Sequence, residues 1–526
     1  MRGLEGTPAL VRLLLRRDRV RLPVWLAALT AVTYLSGDAM ATTFPTPASI
    51  EAYARSAASP AVVAMAGPPI ALDTLPGIVV SKVAVTCIVG TALLAILTMV
   101  RHTRREEEEG RSEMLRATVV GRHAGAAAAL LVTSGASMLA GAGTAVALTG
   151  ARVPAPSSWL FGAGIAALGV VFGSLTLLLA QVSTSARTAL GAALAVLGVA
   201  YLVRAAGDVQ DSWLVWLSPI GWSQATHPLG DERWWPLLVS LVASVVLVGA
   251  AVALANRRDV GAGLFSPRNG SATASRLLSG PVVLAFRLQR GMLVGWAAGL
   301  LVLGVAVGSL SNAVEDMARD NPTLEQYLAV SGQGSPTDSY LSTMLLVIAL
   351  LSAGFSVSSA LRLRPEETSG RLDLLLATGV SRTRCLLGTL LVTVLGTVAV
   401  LASGGLGLGA SYGLVVSDAA QPFRFAVLVL VYVPAVLATA AVAVFLTGWL
   451  PAAAAVAWAA LALCSVLGWL GGLLHPPRWL EELSPFWHTP AVPVDQVTLA
   501  GPLLISLAVV LLVGAGLVGL RRRDIG

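Results

Sequence analysis

The sequence predicts an all-α, polytopic membrane protein with about twelve transmembrane helices, arranged as two parallel six-helix repeats. Three observations predict it. The 526 residues are 56% hydrophobic and only 12% charged, against about 25% charged in a soluble domain, and mean hydropathy is +0.79. Apolar runs of the roughly 20 residues that a helix needs to cross a bilayer recur along the whole length. Two charged islands, offset by 260 residues, read nearly alike. No segment between the apolar runs is long enough to build a soluble core, which argues against an attached catalytic domain.

The elements follow in order. The first apolar run, 22–40, follows a basic segment but lacks a small-residue cleavage site, so it reads as a retained span. Further spans are expected at 78–100, ending at the first island, and at 124–150, 157–181, 188–206 and 236–255, the last closed by Arg257 and Arg258. The second set is expected at 291–312, 341–361 (ending at the second island), 385–414, 425–448, 450–474 and 501–520. With the N-terminus inside, the segments assigned to the cytoplasm hold 27 basic residues and the external ones six. The positive-inside rule therefore places both termini in the cytoplasm of a plasma-membrane protein.

The halves correspond beyond the islands. Arg16, Arg19 and Trp25 recur as Arg287, Arg290 and Trp296; Ile50-Glu51-Ala52-Tyr53 recurs as Leu324-Glu325-Gln326-Tyr327; Leu217-Ser218-Pro219 recurs as Leu483-Ser484-Pro485. Six spans per half make the repeats parallel, related by an axis along the membrane normal. The organisation expected is a first six-span half over 1–261, a cytoplasmic linker and interfacial helix over 262–290, and a second half over 291–526. Coupling loops would lie at 101–122 and 362–384.

Net charge is +7, yet 34 of the 35 basic residues are Arg, clustered between apolar runs, which fits topology rather than a nucleic-acid groove. Cys87, Cys385 and Cys464 have neither metal-ligand nor disulfide spacing and read as small buried hydrophobes. The five histidines are dispersed, and no metal site or catalytic group is expected.

The islands carry the functional signal. Glu106 to Glu109, Gly110-Arg111-Ser112-Glu113-Met114-Leu115-Arg116-Ala117-Thr118 and Arg122 are matched by Glu366-Glu367, Gly370-Arg371-Leu372-Asp373-Leu374-Leu375, Ala377-Thr378 and Arg382. Acids near the start and a cation near the end suit a short helix dipole, with Leu115 and Val119 on one face at i, i+4. Gly121 and Ser381 would turn the chain back into the next span. A solvated loop that only fixes topology is the plainer reading. Topology needs Arg, however, and requires neither paired acids nor Ala-Thr.

This pattern resembles the cytoplasmic loop of type 2 ATP-binding-cassette (ABC) exporter permeases. The fusion of two six-span halves is more like actinobacterial permeases of the polyketide-antibiotic (tetronasin-type) exporters. Family loops often read Gly-Thr after the acids, whereas this chain has Gly110-Arg111 and Gly370-Arg371. The resemblance implies that Glu106, Glu107, Gly110, Arg111, Glu113, Leu115 and Arg122 couple to an ATPase. In the second half it implies the same of Glu366, Glu367, Gly370, Arg371, Asp373, Leu375 and Arg382. It also implies interfacial helices carrying Arg16 and Arg19, and Arg287 and Arg290.

A phosphate-binding loop needs a Lys that reaches the phosphates, and Lys82, the sole Lys, lies at the start of a span. The chain is therefore not expected to be an enzyme. ATP and Mg would be bound by a separate ABC ATPase, in two copies. Its cargo would be a hydrophobic small molecule, and its other partner the lipid bilayer.

Aromatic-rich segments 207–235 and 475–500 read as interfacial belts, or as external helices broken at Ser218-Pro219 and Ser484-Pro485 that cap an exit. Lys82, Asp38 and Asp208 lie near the outer span ends, where long side chains snorkel. An ion-coupled twelve-span drug transporter is the alternative, but it needs midplane carboxylates that the spans almost lack. A non-transporting membrane scaffold is a third reading.

Overall fold

An unpaired backbone amide has no water to turn to inside a bilayer, so a spanning segment pairs its own amides in a helix. The computed structural model follows that rule: the chain is an all-α, multi-pass membrane protein, with no strand among the described residues. Those are residues 3–58, 60–111, 114, 120–257, 280–311, 335–368, 370–474, 477–496, 498 and 500–522. Two compact units are formed, Met1–Gly270 and Ser271–Gly526.

The first unit begins with α1 (Thr7–Arg17) and the span α2 (Arg21–Thr43). Two short helices follow, α3 (Pro47–Ala57) and α4 (Pro60–Ala66). The span α5 (Leu75–His102) leads into the short α6 (Arg104–Glu108), which opens the first island. Then come α7 (Ala124–Gly150), α8 (Ala155–Val182), α9 (Ala186–Val209), the short α10 (Pro219–Gln224) and α11 (Pro236–Arg257). Thr74 caps α5 by accepting from the Gly77 N–H, and Ser185 with Thr188 forms a capping box on α9.

The second unit comprises α12 (Pro281–Gly308), α13 (Pro336–Ala360), the short α14 (Leu363–Thr368) and α15 (Arg371–Leu376), and the 35-residue α16 (Arg382–Val416). It continues with α17 (Gln421–Leu428), α18 (Val433–Trp449), α19 (Val456–Leu474), the single turn α20 (Arg478–Glu481) and α21 (Ala500–Arg522). Ser335 and Ser381 cap α13 and α16. Between α17 and α18 the backbone tightens to a 3₁₀ turn at Val429–Tyr432. The cause is local: Pro434 has no N–H to offer the carbonyl four residues back.

Small residues set the helix spacing, as expected where lipid supplies no hydrophobic drive for helix association. A Cβ on Gly141 of α7 would stand 2.2 Å from the Gly162 carbonyl oxygen of α8, so a larger residue there would force the helices apart. Hydroxyls stitch the interiors. Thr33 Oγ1 lies 3.3 Å from Cys87 Sγ, and Ser359 Oγ lies 2.7 Å from Thr393 Oγ1. The outer faces are apolar instead. On α11 Leu238, Leu241, Val242, Val245 and Val246 are all about three-fifths exposed, a face that only acyl chains solvate well.

Among the described residues eleven helices are long and apolar enough to cross a membrane. The expected span 450–474 forms α19 after a 3₁₀ turn at Pro451–Ala453, so that its helix starts at Val456. The expected span 291–312 begins earlier than its hydropathy suggests. Helix α12 starts at Pro281 and carries Arg287 and Arg290 without a break, while the corresponding Arg16 lies on a separate α1 and Arg19 in the turn after it. Of the expected linker, residues 262–279 lie outside the described residues.

Candidate functional site

The first island sits on a break in the backbone. After α5 the chain turns at Thr103 (φ −119°, ψ −88°) and re-enters a helix for five residues, bringing four consecutive carboxylates to the end of the bundle. Arg104 is 1% exposed. It pairs with Glu107 and donates through Nη2 to the Thr184 carbonyl in the α8–α9 turn at 2.9 Å. Glu106 accepts from Arg17 Nη1 at 2.7 Å, tying the island to α1, and has Arg111 Nη1 at 3.5 Å. That hydrogen bond to Glu106 raises the Arg17 guanidinium above its ordinary pKa. Glu108 accepts the Ala186 N–H at 2.8 Å, placing a carboxylate at the start of α9, where the helix dipole favours it.

Gly110 then takes φ +71°, a left-handed turn that a residue with a Cβ resists. Arg111 folds back onto Glu109 at 2.8 Å, and Met114 beyond it is 67% exposed. Glu113 and Leu115, expected to act in coupling, lie outside the described residues. Gly121 donates to the Glu5 carbonyl at 2.8 Å, so the return to α7 is held by the N-terminal segment. Arg122 donates to the Ala255 carbonyl of α11 at 2.9 Å.

The second island repeats this plan. Gly370 takes φ +68° at the position of Gly110. Arg371 pairs with Glu366 at 2.6 Å, which raises its pKa, and Arg364 pairs with Glu367 at 3.0 Å. Leu372 is buried, Leu375 and Arg382 are half-buried, and Asp373 is exposed. Leu374 is 72% exposed and stands at the register position of Met114. Met114 and Leu374 are therefore outward apolar residues, and Leu375 next to Leu374 is half-buried. Sequence periodicity missed this because the glycine turn resets the helix phase between the acids and the leucines.

Behind each island lies a buried polar contact that the sequence reading did not single out. Arg16 and Arg19 are exposed, and Asp18 between them is 1% exposed. Its Oδ2 lies 2.6 Å from His102 Nε2 and its Oδ1 3.3 Å from Arg101 Nε. Arg287 and Arg290 are likewise exposed around a buried Gln289, whose Oε1 accepts from Ser359 Oγ at 2.6 Å. The offset of 271 residues superposes Asp18 on Gln289. The available signal was one acid among four arginines.

A cavity accompanies each island. In the first unit 340 Å³ are enclosed by α1 (Leu10, Leu14, Arg17), His102 and Glu106, the 120–123 turn, and α11 (Ala251, Ala255). In the second, 200 Å³ are enclosed by α12 (Leu284, Leu288, Gln289), Arg362 and Glu366, Leu372, Leu375, and α16 (Cys385, Thr389).

At the opposite end, Ser218 is fully buried. It donates to the Ala200 carbonyl at 2.7 Å and caps Pro219–Gln224 through the Ile220 N–H. Ser484 is 3% exposed and precedes Pro485 in a turn. Lys82 Nζ lies 4.8 Å above the Tyr53 ring, holding α3 to α5. Asp208 pairs with Arg204 at 3.1 Å, and both are buried in α9. Among the described residues no three His, Cys, Asp or Glu side chains gather as a metal site.

A family model described as "Multidrug efflux system permease Rv1217c, C-terminal domain" matches residues 9–254 and 278–521. A Mycobacterium tuberculosis (strain ATCC 25618 / H37Rv) relative, "Multidrug efflux system permease protein Rv1217c", is 40% identical over 532 residues, covering 99% of this chain and 96% of the relative. The chain belongs to this family of multidrug efflux permeases.

Proposed function

We propose that this efflux permease is the membrane subunit of an ATP-driven ABC exporter, and that it moves an apolar or amphipathic, drug-like compound outward. Two copies of a separate ATPase, which bind ATP and Mg, dock on the segments 106–122 and 366–382. Both islands and both termini face the cytoplasm. The observation that carries this reading is the duplicated presentation of one apolar side chain, Met114 or Leu374, beyond a glycine turn and a base of paired acids and arginines. An exposed apolar residue within a charged rim is a docking feature, because the partner's burial of it supplies affinity and the rim supplies orientation.

Movement of a docked ATPase reaches several helices through the contacts already described. Glu106 pulls on α1 through Arg17, Glu108 on α9 through the Ala186 amide, and Arg122 on α11 through the Ala255 carbonyl. These helices then shift as packed bodies, in the way shear motions are transmitted.

The test is reconstitution of the permease with an ABC ATPase from the same genome. ATP is expected to drive efflux of a fluorescent amphipathic dye from cells or vesicles. Met114→Asp combined with Leu374→Asp is expected to abolish that flux while membrane levels hold, because both side chains are exposed. Efflux that survives ATP depletion and stops when the proton gradient is collapsed would instead identify an ion-coupled transporter.

A further inference from the structure

The cavity behind the second island has the chemistry of a binding site. Its wall is largely apolar, with Leu284, Leu288, Leu372 and Leu375 contributing. Arg362, Glu366 and Thr389 also reach it, and Gln289 is the polar lining residue that matters most. It is 2% exposed, its Oε1 is engaged by Ser359, and its Nε2 has no hydrogen-bond partner among the described residues. A buried amide donor left unpaired is costly, because it has given up water without gaining a partner, a cost that a ligand acceptor in the cavity would relieve.

The cavity is also not an isolated packing fault. Its counterpart in the first unit is built from equivalent positions: Leu13 and Leu284, Glu106 and Glu366, Gly125 and Cys385 line the two cavities. A void of 200 Å³ is smaller than the roughly 300–1,000 Å³ of ligand pockets in general, so it takes a compact group of one or two rings or a short chain and not a whole drug-sized molecule.

We propose that this second-unit cavity binds a neutral, apolar group bearing a hydrogen-bond acceptor such as a ketone, ester or ether oxygen, with Gln289 Nε2 donating to it. The physiological meaning rests on the export reading, since such a group belongs to an apolar or amphipathic compound. The binding itself needs neither ATP nor the ATPase. Loss of binding with ATP-driven efflux intact therefore removes the site alone, and intact binding without ATP-driven efflux removes the export reading alone.

Cys385 supplies a natural reporter, as its residue lines the cavity. Full-length permease carrying Cys87→Ser and Cys464→Ser would be alkylated with N-ethylmaleimide, with and without benzophenone. This probe has two rings and one carbonyl. Benzophenone is expected to slow alkylation of Cys385 at least fivefold and, on irradiation, to crosslink within 281–289 or 385–389. Diphenylmethane has the same outline without the oxygen and is expected to protect several-fold less. Gln289→Leu is expected to equalise the two compounds; Ser359 keeps Thr393 as a partner at 2.7 Å, so this change orphans no hydroxyl. Crosslinks confined to lipid-facing helices would overturn the proposal. So would equal protection of Cys385 by the two compounds with Gln289 in place, a comparison that needs no Gln289 variant to fold.

Discussion

The tie between Arg17 and Glu106 joins the N-terminal helix to the first island, and its strength is open to measurement. The pair is 2.7 Å apart, with side chains 29% and 11% exposed. A hydrogen bond between charged groups contributes about 1.5–3 kcal/mol, while exposed pairs contribute 1 kcal/mol or less. Partial burial places this one near 2 kcal/mol, a factor of about 30 in an opening equilibrium. Arg111, 3.5 Å from the same Glu106 oxygen, offers a partial substitute when Arg17 is removed. The perturbation is therefore a double-mutant cycle of Arg17→Gln and Glu106→Gln, read by amide hydrogen exchange across α1. Each single change is expected to lower α1 protection by roughly tenfold to 30-fold. The double change is expected to add little, giving a coupling energy of about 1.5–2 kcal/mol. Additivity within about 0.5 kcal/mol would show that α1 and the island move independently, and the route from island to α1 would be wrong.

Met114→Asp and Leu374→Asp together are expected to release the ATPase in co-purification at least tenfold, with no loss of permease melting temperature, because both side chains are already exposed. Lys82→Met is expected to leave efflux within twofold, since among the described residues Lys82 contributes a cation–π contact with Tyr53, about 0.5–1 kcal/mol at an exposed site; dye efflux checks it. Gly141→Leu is expected to destabilise the first unit by at least about 1–3 kcal/mol through overpacking against Gly162, read as early thermal unfolding. Ser218→Ala removes a buried hydrogen bond and a helix cap, and is expected to cost about 1–2 kcal/mol by the same assay.

The spans were legible because their signal is one-dimensional. A run such as 124–150 is apolar from end to end, and α7 occupies those residues. The edges were legible only where a polar residue marks them. Ahead of Arg287 and Arg290 lie Pro281 to Phe286, apolar residues already in α12, so hydropathy could not separate an interfacial segment from the span. The islands were visible as duplicated text, and Gly110 and Gly370 explain part of that duplication: both sit where φ is positive. Which apolar residue faces outward was not visible, because a turn of two or three residues rotates everything after it.

Composition and pattern alone thus determined the class, the helical spans and the repeated charged segment. Each depends on the free energy of a residue in lipid against water, summed locally along the chain. Only the tertiary structure decided that Asp18 meets His102 across 84 residues and that Glu106 meets Arg17 across 89. It alone decided that Gln289 Nε2, unpaired among the described residues, lies beside a cavity. Such pairings depend on how helices dock, through small residues and crossing geometry, and no local sum over the sequence contains that information.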